Sequence, residues 1–210
     1  MFSKRLMLLG LVVLVVGALS VAAIAATDDG AVRAPDADEP AIEAVEATAA
    51  DSFGFLEEPQ TAADRLPEGA AVEARLPYGA NVELSRRVAW GDGVEVFAVP
   101  GRGFICTVIP NPEGATGGCQ PSDLIQKGTG TGPSLIHSAK VDKVYAVVPD
   151  GVESVTLAVE SGKSIEVAVQ NGGYYVEVPT ADPPRTVVYD GPNGHVTQQV
   201  PIPPDLPFGE

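Results

Sequence analysis

Cys106 and Cys119 are the only cysteines of this chain, and both lie in the stretch GFICTVIPNPEGATGGCQP with 12 residues between them. Such a pair could be a nucleophile, half a metal site, a redox couple or a structural bridge. A redox couple calls for C-x-x-C spacing, which is absent. Zinc calls for two further ligands, and only His137 and His195 exist, far apart in sequence. Outside the cytoplasm, two cysteines in an otherwise cysteine-free chain join as a bridge. Closing a loop of this length contributes about 3 kcal/mol, mainly by restricting the unfolded chain. The expectation is a Cys106–Cys119 disulfide clasp, with no metal and no cofactor.

Other stretches resemble reactive motifs only in part. SGKS at Ser161–Ser164 has the end of a phosphate loop, but Leu157 stands where that motif needs its first glycine, and strand residues follow. GTGTG at Gly128–Gly132 is not G-x-G-x-x-G and has no βαβ context. There is no G-x-S-x-G elbow and no S-x-x-K pair. A Ser–His–Asp group or a carboxylate pair could assemble only in space. The aromatics that line sugar sites are few: one Trp, at 90, and five Tyr. Tyr174 and Tyr175 point to opposite faces if they share a strand, so one of them would suit a surface contact, with core packing the plainer alternative.

The elements that must carry these residues read as strands. Val155, Leu157 and Val159 alternate with Ser154, Thr156 and Ala158, the two-residue period of a half-buried strand, and Ile165, Val167 and Val169 repeat it after a turn. Asn171–Gly173 reads as a hairpin leading to Tyr174, Val176 and Val178. VDKVYAVV ends in a Pro-Asp-Gly turn, and RTVVY and HVTQQV flank DGPNG. Upstream, RRVAW and VEVFAV are separated by Gly91-Asp92-Gly93, and GFICTVI would pair next. The stretch to Cys119 reads as a Pro- and Gly-rich loop. Asn81 and Ser122 could cap two short helices, VELSRR and DLIQK. The fold class expected is mainly β: an antiparallel β-sandwich or small barrel with one or two short helices.

Two N-terminal segments precede that fold. Lys4 and Arg5 stand before the uncharged run Leu6–Ala26, and Asp28 and Asp29 close it. Its 21 residues would span about 31 Å as a helix, enough to cross a bilayer with the N-terminus inside. Ala23-Ile24-Ala25 also fits a cleavage site, so residues 1–27 are a signal peptide or a transmembrane anchor. From Asp28 to Glu68 the chain carries 12 acids against two bases, and residues 28–50 read as a disordered acidic linker. Residues 51–205 form the β-rich extracytoplasmic domain, with 69–127 and 135–203 as alternative subdomains. The net charge of −15 repels nucleic acid and anionic headgroups, so no nucleic-acid partner is expected.

Five stretches, SFGFLEEPQTAADRLP (Ser52–Pro67), ELSRRV (Glu83–Val88), VPGRGFIC (Val99–Cys106), GGC (Gly117–Cys119) and VVPDGVESVTL (Val147–Leu157), occur in this order. Together they resemble a group of uncharacterised extracytoplasmic proteins of high-GC Gram-positive bacteria, over about Ser52 to Val178. The resemblance implies an exported protein with two paired cysteines and implies no activity. It also implies that Phe53–Pro67 belongs to the folded unit.

The functional expectation is a non-catalytic β-rich module at the cell envelope, secreted or membrane-anchored through its N-terminal helix. Its partner would be an envelope protein or a wall polysaccharide. The alternative is a secreted hydrolase with a site assembled from scattered residues.

Overall fold

In the computed structural model, described residues are 53–202 except 74, 75, 77, 78 and 113. The expected signal or anchor segment and the acidic linker lie outside them. All described residues belong to one unit, residues 40–210. That unit is mainly β, with antiparallel sheets and a few short helices, as the alternating patterns require.

Turn chemistry at Asp92-Gly93 and Arg102-Gly103 folds the first half into a meander. Its strands are β1 (Arg86–Gly91), β2 (Val94–Gly101), β3 (Phe104–Asn111) and β4 (Gly114–Pro121), hydrogen-bonded in that order. The second half holds β5 (Ser134–His137), β6 (Val141–Val147), β7 (Ser154–Val159), β8 (Ser164–Ala168), β9 (Gly173–Pro179), β10 (Pro184–Gly191) and β11 (Gly194–Gln199). These form two sheets, β5-β6-β9 and β11-β10-β7-β8. Three short helices accompany them: α1 (Gly54–Glu57), α2 (Glu68–Glu73) and α3 (Ser122–Gln126). No helix among the described residues is long and apolar enough to cross a membrane.

The alternating residues make the core. Val144 and Val148, Leu157, Tyr174 and Val178, and Val187 meet in one cluster drawn from both sheets of the second half. Burying each such aliphatic side chain contributes about 1.5–3 kcal/mol. A second cluster joins Val88, Ala89, Val96 and Ile105 of the meander to Tyr145 and Tyr175 of β6 and β9. Phe53 and Phe55 complete it, their ring centroids 5.3 Å apart. The opposite face of the meander is covered too, where Phe97, Val99, Cys106 and Val108 pack with Leu66 and Ala70. Burial on both faces is why β2 reads as a nearly continuous apolar run.

Four local expectations are revised. Asn171–Gly173 does not close a hairpin: β8 pairs with β7, whereas β9 pairs with β6 in the other sheet. The glycine there serves close approach instead. Gly172 has φ +75°, and a Cβ on it would sit 2.4 Å from Phe55 Cδ1. The stretch before Cys119 is a strand, not a loop. Gly117 lets β4 press against β3, where a Cβ would stand 1.9 Å from the Thr107 carbonyl oxygen. Asn81 caps only a single 3-10 turn, Val82–Leu84, its Oδ1 accepting from Glu83 N at 3.1 Å. Ser122 is the first residue of α3 and not its cap.

A candidate binding cleft around Trp90

Cys106 and Cys119 face each other across β3 and β4 and form a disulfide, with Cα atoms 3.9 Å apart. Cys106 is fully buried among Phe97, Val99 and Val108, so the bridge is scaffold. The expected surface contact at Tyr174 and Tyr175 is corrected by their burial, 1% and 7% exposed. Tyr174 faces the core of the second half, where burial raises its phenol far above the ordinary value. Tyr175 lies on the opposite face of β9, against the meander. Burial raises its phenol as well, and its Oη donates to Glu177 Oε1 at 2.5 Å. Alternation does put the two rings on opposite faces, but both faces of β9 are covered.

The two histidines each meet an aspartate. His137 Nδ1 lies 2.7 Å from Asp142 Oδ1, and His195 Nδ1 lies 2.9 Å from Asp190 Oδ1. Near His137 the hydroxyls are committed elsewhere: Ser138 Oγ donates to Val141 O at 2.6 Å and Thr180 Oγ1 to Ser138 O at 2.9 Å. Among the described residues no group of three His, Cys, Asp or Glu side chains is placed to hold a metal ion.

The exposed aromatic is one the sequence did not single out. Trp90 is 43% exposed, the sole large hydrophobic side chain so open among the described residues. It stands at the end of β1, where pairing with β2 is irregular: Arg87 pairs with Phe97, but Ala89 pairs with Val96. One extra residue, Val88, is accommodated there, a β-bulge. In a regular strand Arg87 and Trp90, three apart, would face opposite ways. The bulge reverses the alternation, so Arg87, Trp90 and the cross-strand Glu95 share one face. The Arg87 guanidinium lies 4.7 Å from the Trp90 ring centroid, and its Nη1 donates to Glu95 Oε1 at 2.7 Å. Its remaining N–H groups meet no acceptor among the described residues.

Beside this stack is a cleft of about 220 Å³. Its floor includes Phe55, and Trp90, Arg86 and Arg87 form the β1 side, with Asn171 arriving from the β8–β9 crossing. The far wall is the segment after α1, with Glu58, Pro59, Thr61 and Asp64. Side chains pin that segment to β1. Arg86 Nη2 donates to Leu56 O and Glu58 O, and Gln60 Nε2 donates to Glu83 O and Ser85 O, both at 2.9 Å. Trp90 is held through its backbone: its N–H donates to Gln170 Oε1 at 2.7 Å, and Gln170 Nε2 donates to its carbonyl at 3.0 Å. Asn171 Nδ2 donates to Arg87 O at 3.1 Å, while its Oδ1 accepts no bond among the described residues.

The two carboxylates of the cleft differ. Asp64 Oδ2 accepts from Thr61 Oγ1 and Thr61 N at 2.6 and 2.8 Å, and Oδ1 accepts from Arg87 N at 3.2 Å. Burial pushes its pKa up, but these bonds and the charge of Arg86 outweigh it and hold Asp64 below the ordinary 3.8. Glu58 is exposed, and its carboxylate accepts nothing from the described residues. A larger cleft of about 360 Å³ between residues 67–70 and 110–114 has no charged side chain among its described lining residues. The chain matches no family model, no curated protein and no solved structure.

Proposed function

We propose that this protein is a non-catalytic binding module of the cell envelope, exported by its N-terminal segment and engaging an envelope protein or wall polymer through the Trp90 cleft. The observation that carries the reading is an exposed tryptophan stacked with Arg87 beside solvent-accessible polar groups, in a chain whose other large apolar side chains among the described residues are buried or half-buried. Pre-positioned aromatic and polar groups of this kind favour binding because little freedom is lost when a partner arrives. Export is supported by Lys4-Arg5 before the run Leu6–Ala26, by the resemblance to extracytoplasmic proteins of high-GC Gram-positive bacteria, and by a disulfide suited to an oxidising compartment. The sheets β5-β6-β9 and β11-β10-β7-β8, sharing one cluster, read as a β-sandwich of the kind many cell-surface proteins use, an analogy of fold and not of activity.

The hydrolase alternative is the weaker one. Glycoside cleavage uses two carboxylates, one of them protonated. Both oxygens of Asp64 are already engaged by Thr61 and the Arg87 N–H, so it presents no free oxygen to a substrate or water, which leaves Glu58 alone. The test is co-sedimentation of the full chain, in detergent, with isolated envelopes. Wild type is retained, and Trp90→Ala is retained at least about tenfold less, the loss of one well-packed aromatic contact. Equal retention of the two removes the cleft from the function.

A further inference from the structure

We propose that the Trp90 cleft receives one neutral sugar ring of a polysaccharide, stacked on the indole and hydrogen-bonded by Glu58, Asn171 and Arg87. This deepens the binding reading above and rests on it.

Size sets the first limit. A cleft of about 220 Å³ falls below the roughly 300–1,000 Å³ of sites that engulf a drug-sized ligand. One ring of a longer polymer fits the scale, with the rest of the polymer running outside.

Charge sets the second. Glu58 and Asp64 offset Arg86 and Arg87 within the lining, so neither a cation nor an anion finds a complementary field. A polyanion would also be repelled by the net charge of −15. A purely apolar ligand would strip water from the charged groups of Glu58 and Arg87 without replacing their hydrogen bonds.

Donor and acceptor types set the third. Glu58 and Asn171 Oδ1 offer acceptors, and the free N–H groups of Arg87 offer donors, around an aromatic surface. A sugar hydroxyl both donates and accepts, so a ring of hydroxyls satisfies both kinds at once. Its C–H face covers the face of the indole that Arg87 leaves open. The contacts that place the ring exist before binding: Arg87 lies between Trp90 and Glu95, and the Trp90 backbone is fastened by both hydrogen bonds to Gln170.

The single tryptophan makes the test direct, because all indole fluorescence comes from position 90. The full chain, in a detergent without a sugar headgroup, is titrated with tetramers of N-acetylglucosamine and of glucose, both neutral. The glucosamine and galacturonic acid tetramers serve as the cationic and anionic counterparts. The expected result is a saturable change of Trp90 emission with at least one neutral tetramer, and binding weaker by about tenfold or more for both charged ones, the scale of one unfavourable or missing charged contact. By calorimetry, Glu58→Ala weakens the neutral tetramer about tenfold and Trp90→Ala abolishes binding; the exposure of Glu58 leaves the fold of its variant intact. If neither neutral tetramer binds while envelope retention still depends on Trp90, the sugar assignment falls and a protein partner takes its place. If retention ignores Trp90, the binding reading itself has failed. Preference for a charged tetramer overturns the neutrality argument alone.

Discussion

Arg87 and Trp90 show how little of a site is visible in residue types alone. Each is unremarkable on a β-strand; together on one face they form a stacked pair with Glu95 completing the charge. Cation–π contacts at exposed positions are worth about 0.5–1 kcal/mol, so Arg87→Ala is expected to lower stability by about 1 kcal/mol once the Glu95 ion pair is included. The sharper readout is the indole itself: steady-state anisotropy of Trp90 drops and its emission shifts to the red in the variant. Unchanged anisotropy would mean that the Arg87 stack does not restrain the ring. Asp64 carries a pH signature with a definite sign. Its folded pKa is depressed, so its contribution is present above the unfolded value of about 3.9 and is lost as pH falls through the folded one. Asp64→Asn, which leaves one acceptor oxygen where the donors Thr61 and Arg87 N–H use two, is expected to cost about 1 kcal/mol at neutral pH. Chemical denaturation of both proteins should show that gap closing below about pH 4; a gap independent of pH would refute the assignment.

At the scale of elements, the hairpin β3–β4 and the crossing from β8 to β9 are the two places where backbone contact dictates the residue. Across the hairpin, Cys106 and Cys119 are direct cross-strand partners. The bridge braces an edge strand in which three of eight residues are glycine, since β4 reads GATGGCQP. Replacing both cysteines by alanine is expected to cost about 3 kcal/mol, the loop-closure contribution for this separation, with the far-UV spectrum retained. Little or no loss in the denaturation midpoint would show that sheet pairing alone holds β4. At the crossing, Gly172 combines φ +75° with a Phe55 ring where a Cβ would be. Gly172→Ala therefore adds backbone strain and overpacking at once, for an expected loss of about 2 kcal/mol or more.

Across the whole described unit, one apolar cluster, with the rings of Phe53 and Phe55 inside it, joins the meander to the sheet β5-β6-β9, and a second cluster joins that sheet to β11-β10-β7-β8. The segment carrying those rings also builds the far wall of the Trp90 cleft. Phe55 thus belongs both to the core and to the lining of the site. Phe55→Ala is expected to cost about 3–5 kcal/mol, transfer plus cavity. In wild type, Trp90 fluorescence reports the meander and far-UV circular dichroism reports all strands. The two unfolding curves should coincide, as a shared core requires. Separate transitions would show that the halves are independent and that Phe53 and Phe55 belong energetically to only one of them.

Local chemistry in the sequence determined the strand-rich fold, most of the strand positions and the pairing of the two cysteines. Strands with a two-residue period and turn residues between them leave few alternatives to antiparallel pairing, and two cysteines leave one bridge. The apolar residues Phe53, Phe55 and Leu66 likewise had to find a core. Tertiary structure decided what side-chain types cannot encode. It decided which sheet receives β9, whether both faces of that strand are covered, and so whether Tyr174 and Tyr175 are surface or core. It also decided the site. A single extra residue in β1 reverses the facing of every residue after it, because strand alternation has a period of two. That reversal depends on hydrogen-bond register with β2, a relation between strands that no single strand's sequence contains.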